Sequence, residues 1–178
     1  MDASEPGRPE SIVDRLEANA EVFGGLVRGV SPAQAVWRPA PDRWSILEVV
    51  CHLADEEVED FRTRVDYALH RPGETWPPID PEGWARTRGY LDRDPADVLR
   101  RFQAEREASV TWLRSLVRPD WSKTYTHPKI GSLSAGDLLA CWAAHDALHL
   151  RQIAKRLHDL ATRDVFSGDV GYAGAWRA

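Results

Sequence analysis

Residues 134–160, SAGDLLACWAAHDALHLRQIAKRLHDL, contain the most informative residue spacing of the chain. His145 and His149 stand four residues apart there, and no glycine or proline follows Gly136. Side chains four apart on an α-helix lie on one face, one above the other. The stretch therefore predicts a helix whose two imidazoles can share a metal ion, although two half-exposed surface histidines would have the same spacing.

The residues beside the histidine pair indicate which kind of metal site it belongs to. In the metalloprotease motif H-E-x-x-H a glutamate follows the first histidine, whereas here the next residue is Asp146. On a helical wheel Asp146 lies about 100° from His145, so we expect it to face solvent or a neighbouring helix. The pair thus favours a metal site of another kind over the catalytic site of a zinc protease.

Four amphipathic segments predict an all-α fold. The expected helices are residues 10–30, a second from Ser45 to about Leu69, a third from the Asp94-Pro95 start to Pro119, and a fourth from Ser134 to Leu160. Ser45 with Glu48 forms a capping box, and Asp94 and Ser134 are suited to cap the later helices. Residues 71–94 carry four prolines and three glycines and predict a long connection. The expectation is an up-down-down-up four-helix bundle with a long crossover between helices 2 and 3, in a single domain over residues 1–178.

A third ligand is needed beside the two imidazoles, and a facing helix usually supplies it in a bundle. His52 is the best candidate, because it lies at the margin of the apolar stripe of the second helix. Glu56, one turn later, is a further candidate as ligand, base or hydrogen-bond acceptor, but an exposed carboxylate within the run DEEVED is the expected reading. Cys141, one turn before His145, is a further candidate ligand, but a buried core thiol is the expected role.

Three other histidines are expected to have solvated or local packing roles. They are His70, His127 and His158, of which His127 lies in the loop before the metal helix. The stretch from Trp121 to Leu133 is expected to be a loop, and no strand is predicted.

Two segments carry a family resemblance. Residues 44–57, WSILEVVCHLADEE, resemble the second-helix motif of the DinB/YfiT-like superfamily, and residues 127–153, HPKIGSLSAGDLLACWAAHDALHLRQI, resemble its last-helix motif. The resemblance implies a four-helix bundle with one divalent metal ion (Zn, Ni or Fe) at His52, His145 and His149. It also implies either a thiol-dependent enzyme of the S-transferase or isomerase type, or a non-catalytic stress-response protein whose metal is structural or sensory. Hydrolysis by a metal-activated water molecule is the near variant of the enzyme.

Composition and charge indicate which classes of binding partner to expect. The net charge of −5 and the pI near 5.7 argue against nucleic acid, because phosphate neutralisation needs a basic face. No apolar run reaches the roughly 20 residues that cross a bilayer, and the acidic start shows no signal peptide. Two distant cysteines without a CxxC spacing indicate reduced thiols and a cytoplasmic location. We therefore expect a small-molecule substrate, with a low-molecular-weight thiol as one choice, and the sequence allows a homodimer.

Overall fold

The computed structural model describes residues 8–164 and 169–176, and four long helical segments dominate it. In chain order its helices and strands are α1 Pro9–Val27, α2 Pro32–Ala35, α3 Ile46–Glu56, a π-helical segment Glu57–Arg62, α4 Thr63–His70, α5 Pro81–Thr87, α6 Pro95–Ser115, β1 Thr124–His127, β2 Gly131–Ser134 and α7 Ala135–Asp164. Short 3-10 turns lie at Tyr90–Asp92 and Gly171–Ala173. The all-α prediction is confirmed.

Side-chain caps fix the starts of three long helices at the predicted residues. Ser45 and Glu48 form a reciprocal capping box at the start of α3. The Asp94 side chain accepts hydrogen bonds from two backbone amides at the start of α6. Asp137 and Ser134 bond each other's backbone amides at the start of α7. Each cap satisfies amides that have no partner within the helix, and this is why the boundaries could be predicted.

The bundle has the up-down-down-up topology. Contacts pair early residues of α1 with late residues of α6, as Asp14 does with Arg114, so these two helices are antiparallel. The segment α3–π–α4 runs antiparallel to α7, because Trp44 meets Arg156 near one end and Glu57 meets Trp142 further along. The second and third long segments are parallel, because Asp55 pairs with Arg101 and Arg62, further along, pairs with Glu105. The long connection between them is the predicted crossover.

Two segments that were expected to be loops contain regular structure. Residues 71–94 include α5, whose start Asp80 caps, and the 3-10 turn Tyr90–Asp92. Residues 124–134 form an antiparallel hairpin, in which Tyr125 pairs with Leu133 and is 5% exposed. The prediction of no strand is wrong here, because packing of the Tyr125 ring on Trp76 stabilises strands of only four residues.

The second long helix is interrupted between Glu57 and Arg62 by a π-helical segment. The Thr63 hydroxyl donates to the Val58 carbonyl there, five residues earlier. Segments of this kind occur mostly as single turns within α-helices, often at functional sites. This one begins immediately after Glu56.

The interior of the bundle contains a polar layer between two apolar clusters. Along each long helix the buried residues pass from one cluster to the other through polar side chains at the same level. We call these side chains the polar layer, and they are Asn19, His52, Glu56, Glu57, Arg106, His145, Asp146 and His149. Burying so many polar groups is costly unless each finds a partner, so the layer is the place to look for function.

No helix among the described residues is long and apolar enough to span a membrane. That the whole of residues 1–178 forms one domain stays a prediction, since residues 1–7, 165–168 and 177–178 lie outside the described part of the chain.

Candidate metal centre

Three histidines from two antiparallel helices meet in the polar layer. His52 comes from α3, and His145 and His149 come from α7. The Nε2 atoms of His52 and His145 are 3.3 Å apart, and those of His145 and His149 are 3.0 Å apart. One ring nitrogen from each of the three lies within 4.8 Å of the other two. The structure thus brings together the three residues that the sequence singled out.

Glu56 completes what we call the histidine cluster, together with the three imidazoles. Its Oε2 atom lies 2.9 Å from Nε2 of His145 and 3.3 Å from Nε2 of His52. Glu56 is only 5% exposed, so the expectation of a solvated carboxylate is wrong. The signal was its spacing of one helical turn from His52, which the acidic run DEEVED obscured.

Burial keeps two of the imidazoles neutral. Desolvation, followed by the neighbouring His145, lowers the pKa of His52 from 6.5 to about 3. The same two causes lower the pKa of His149 to about 4. Neutral imidazoles are the protonation state in which histidine binds metal ions.

A second residue fixes the tautomer of His149. Its Nδ1 atom lies 2.7 Å from the Gln152 Oε1 atom, which can only accept, so Nδ1 donates. In the neutral ring the lone pair is then on Nε2, the atom within 3.0 Å of His145. Such outer hydrogen bonds commonly orient metal-binding histidines.

The donor set fits a divalent metal ion. Three imidazole nitrogens and one carboxylate oxygen lie close together, with too few hydrogens to form hydrogen bonds between all of them. The Nδ1 atom of His52 has no partner among the described residues. At zinc–nitrogen distances of about 2.0–2.1 Å, two ligands of a tetrahedral ion lie about 3.3 Å apart. The observed spacings of 3.0 and 3.3 Å are close to that value. A cation would satisfy lone pairs that the side chains leave facing one another.

The other half of the polar layer, the arginine network, is formed by Arg106, Glu57, Asp146 and Asn19. Arg106 donates to Glu57 at 2.8 Å and binds both oxygens of Asp146 at 2.7 and 2.8 Å. Asn19 also donates to Asp146, and the Asp146 side chain is fully buried. The prediction that Asp146 faces solvent or a neighbouring helix is thus resolved in favour of the helix, α6.

A cleft opens beside the histidine cluster. Its volume is about 1660 Å³, and His52 and His149 form part of its lining together with Trp44 and Gln152. The Trp44 ring lies 4.9 Å from that of His52, centroid to centroid, and Phe61 lies at the same distance from His145. The cluster therefore has aromatic walls and an opening on one side, as expected of a site that receives a small molecule.

Other candidates from the sequence lie outside the cluster. Cys141 is exposed rather than a core thiol, whereas Cys51 is buried, with its pKa raised to about 12 by burial. His70 is exposed, His127 lies beside Trp76, and His158 lies beside Trp176. They take the solvated or packing roles that were expected.

Comparison with protein families gives a match to the DinB superfamily over residues 15–153. This range contains the four residues of the histidine cluster and most of the four-helix core.

Two relatives are informative. A protein from Oceanobacillus iheyensis, named as a candidate metal-dependent hydrolase, is 29% identical over 111 residues, which cover 62% of this chain and 63% of that protein. The chain thus matches less than two thirds of that relative's length. The solved structure of YfiT from Bacillus subtilis, described as a probable metal-dependent hydrolase with an unusual four-helix bundle topology, matches with a TM-score of 0.78 at 18% identity. That match covers 90% of this chain and 93% of YfiT, and at this identity it shows the fold.

Proposed function

This chain belongs to the DinB superfamily, and from that premise we propose that it is a metal-dependent hydrolase of a small-molecule substrate. In this proposal His52, His145 and His149 bind one divalent ion, for which zinc, nickel and iron are the choices. The observation that supports it most is the convergence of three ring nitrogens within 4.8 Å beside an open cleft. The names given to the two relatives, each of which contains the words metal-dependent hydrolase, support the same function.

A divalent ion held by three imidazoles supplies Lewis acidity, which polarises a carbonyl group and makes water a better nucleophile. The chain's own groups would position and deprotonate the reactants. Glu56 Oε2, at the edge of the cluster, is placed to accept the proton that a water molecule loses on attack. Gln152 holds His149 in the tautomer that directs its lone pair at the cluster. Trp44 and Phe61 limit access of bulk water on two sides.

A structural role for the metal is less well supported. The apolar clusters and the arginine network hold the four helices together at the level of the site without any contribution from the imidazoles. The His145 side chain is 21% exposed, and the cleft reaches its partners. Structural metal sites are typically closed by four protein ligands, whereas in this proposal three imidazoles bind the ion and Glu56 acts as the base.

Thiol S-transfer is the second candidate. The cleft, at about 1660 Å³, exceeds the roughly 300–1,000 Å³ typical of single-ligand pockets, so it has room for a thiol and an acceptor together. In that reaction Glu56 would accept the thiol proton, and the resulting thiolate is the nucleophile.

One experiment separates these functions. Zinc-, nickel- and iron-loaded protein is assayed for hydrolysis of 4-nitrophenyl acetate and, separately, for conjugation of small thiols with 1-chloro-2,4-dinitrobenzene. We expect metal-dependent hydrolysis, and we expect Glu56→Gln to keep the metal while lowering the rate by about 100-fold or more. Metal-dependent conjugation without hydrolysis would establish the transferase instead. Absence of both activities, combined with a large rise in melting temperature on metal binding, would assign a structural metal.

A further inference from the structure

The cationic side chains of the cleft differ in whether they already have a partner. Among the residues that the structure describes, five cationic side chains line the cleft, and four of them pair with protein groups. These four are Arg43, which pairs with Asp42, Lys155 and Arg156, which pair with Asp159, and Arg163, which pairs with Asp164. The fifth is Arg151.

Arg151 is exposed and makes neither an ion pair nor a hydrogen bond with the residues that the structure describes. It directly precedes Gln152, the residue that orients His149. A guanidinium group is always charged and offers a planar pair of donors that matches a carboxylate. Its donors are therefore available to a ligand in the cleft.

The walls of the cleft carry opposite charge. The α7 wall contributes four cations, Arg151 among them, against the single carboxylate of Asp159. The lining outside α7 contributes Asp42, which pairs with Arg43, together with Asp80, whose side chain caps α5, and the exposed Glu82. An anionic group of a ligand is therefore attracted to the wall that also carries His149.

Three tryptophans supply flat apolar surface in the same cleft. Trp44 lies against the His52 ring, and Trp37 and Trp176 lie at 5.0 and 5.8 Å from the charged ends of Arg163 and Lys155. Indole faces favour planar apolar groups and bury large areas at low conformational cost. The cleft thus combines aromatic surface with one unpaired guanidinium.

We propose that the substrate is a carboxylate with a planar apolar body, and that Arg151 binds its carboxylate group while the tryptophans contact the body. A single unpaired arginine matches a single negative charge. This inference rests on the proposed function, because it takes the cleft beside the histidine cluster as the substrate site.

The test measures binding rather than turnover. Zinc-loaded protein is titrated by calorimetry with 2-naphthoate, with the neutral 2-naphthamide and with the cationic 2-naphthylmethylamine, which share one aromatic body. We expect naphthoate to bind at least about tenfold more tightly than the amide, as charge-assisted hydrogen bonds imply. Arg151→Gln should abolish the preference. Arg28→Gln, which removes another exposed arginine outside the cleft, should retain it.

Each other outcome overturns the inference. A preference that persists in Arg151→Gln would mean that the carboxylate binds elsewhere, for example at the zinc ion. Tighter binding of the amine, lost in Glu82→Gln, would assign a cationic substrate. Absence of binding by all three probes would reject the aromatic site. The two proposals fail separately, because hydrolysis of 4-nitrophenyl acetate without a naphthoate preference rejects only this inference, and the preference without any hydrolysis rejects only the hydrolase.

Discussion

Two polar clusters lie side by side at the middle of the bundle, and they are built from neighbouring residues. Glu56 and His145 belong to the histidine cluster, whereas Glu57 and Asp146, the next residue in each case, belong to the arginine network. In the arginine network opposite charges meet, and each of the three guanidinium nitrogens of Arg106 donates to an oxygen. In the histidine cluster three ring nitrogens and a carboxylate oxygen face one another.

Burial thus serves two purposes at one level of this fold. A buried charged network whose members are paired fixes how the helices pack, and the loss of any one member is strongly destabilising. A buried cluster of lone pairs is incomplete without a cation, so it is suited to bind one. Adjacent residues serve both purposes because consecutive side chains on a helix point about 100° apart.

Removing the centre of the arginine network should have the largest effect. Arg106→Met leaves Glu57 and Asp146 buried without their cation, and we expect the free energy of unfolding to fall by about 3–5 kcal/mol. Denaturant unfolding at pH 7 measures it. Arg114→Met is the matched control, since Arg114 pairs with exposed Asp14 and Glu17, and its loss should lower the free energy of unfolding far less. Equal losses in the two variants would contradict a specific role for the buried network.

Removing a member of the histidine cluster should act on metal binding instead. His149→Ala should weaken metal affinity by more than about 100-fold, the upper range for changes in outer-shell residues. Elemental analysis should then find well below one metal ion per chain, while circular dichroism retains the helical signal. His158→Ala, on the same helix but outside the cluster, is the control and should keep the metal. Full retention of tight metal by His149→Ala would reject the site.

Low pH should lower the free energy of unfolding of the metal-free protein, because of the same cluster. The folded-state pKa values of His52 and His149, about 3 and about 4, lie below the ordinary value of 6.5. Below pH 6.5 the unfolded chain therefore binds protons that the folded chain does not, and the free energy of unfolding falls as pH falls. The slope should reach at most about 1.4 kcal/mol per pH unit for each imidazole between pH 6.5 and 5.

Denaturant unfolding of metal-free protein at several pH values measures this slope. His149→Leu should reduce it, because one of the two titrating groups is gone. A free energy of unfolding that stays constant from pH 6.5 to 5 would show that the imidazoles are not held in a desolvated state.

Much of the architecture could be predicted because it depends on local signals. The capping residues Ser45, Asp94 and Ser134 mark helix starts through hydrogen bonds within a few residues. The proline-rich connection of residues 71–94 indicated two parallel helices, which sets the topology. The three histidines followed from helical spacing and from residue type.

The rest depends on which residues of different helices reach the same level. Nothing in the sequence near Arg106 tells that it meets Glu57, 49 residues earlier, and Asp146, 40 residues later. Glu56 stands in an acidic run typical of a solvated face, and only the packing of α3 on α7 buries it. The hairpin was missed because two strands of four residues carry too little periodicity to be distinguished from a loop.

The crossover topology also sets when the site can form during synthesis. His52 precedes His145 by 93 residues, so ribosomes working at about 5–20 residues per second need roughly 5–20 s to supply the second ligand. During that interval the nascent chain holds α3 with an incomplete ligand set. In the proposed site, binding of one ion by all three histidines requires that α7 has been synthesised and packed against α3, and a truncated chain that ends before α7 lacks two of the three proposed ligands.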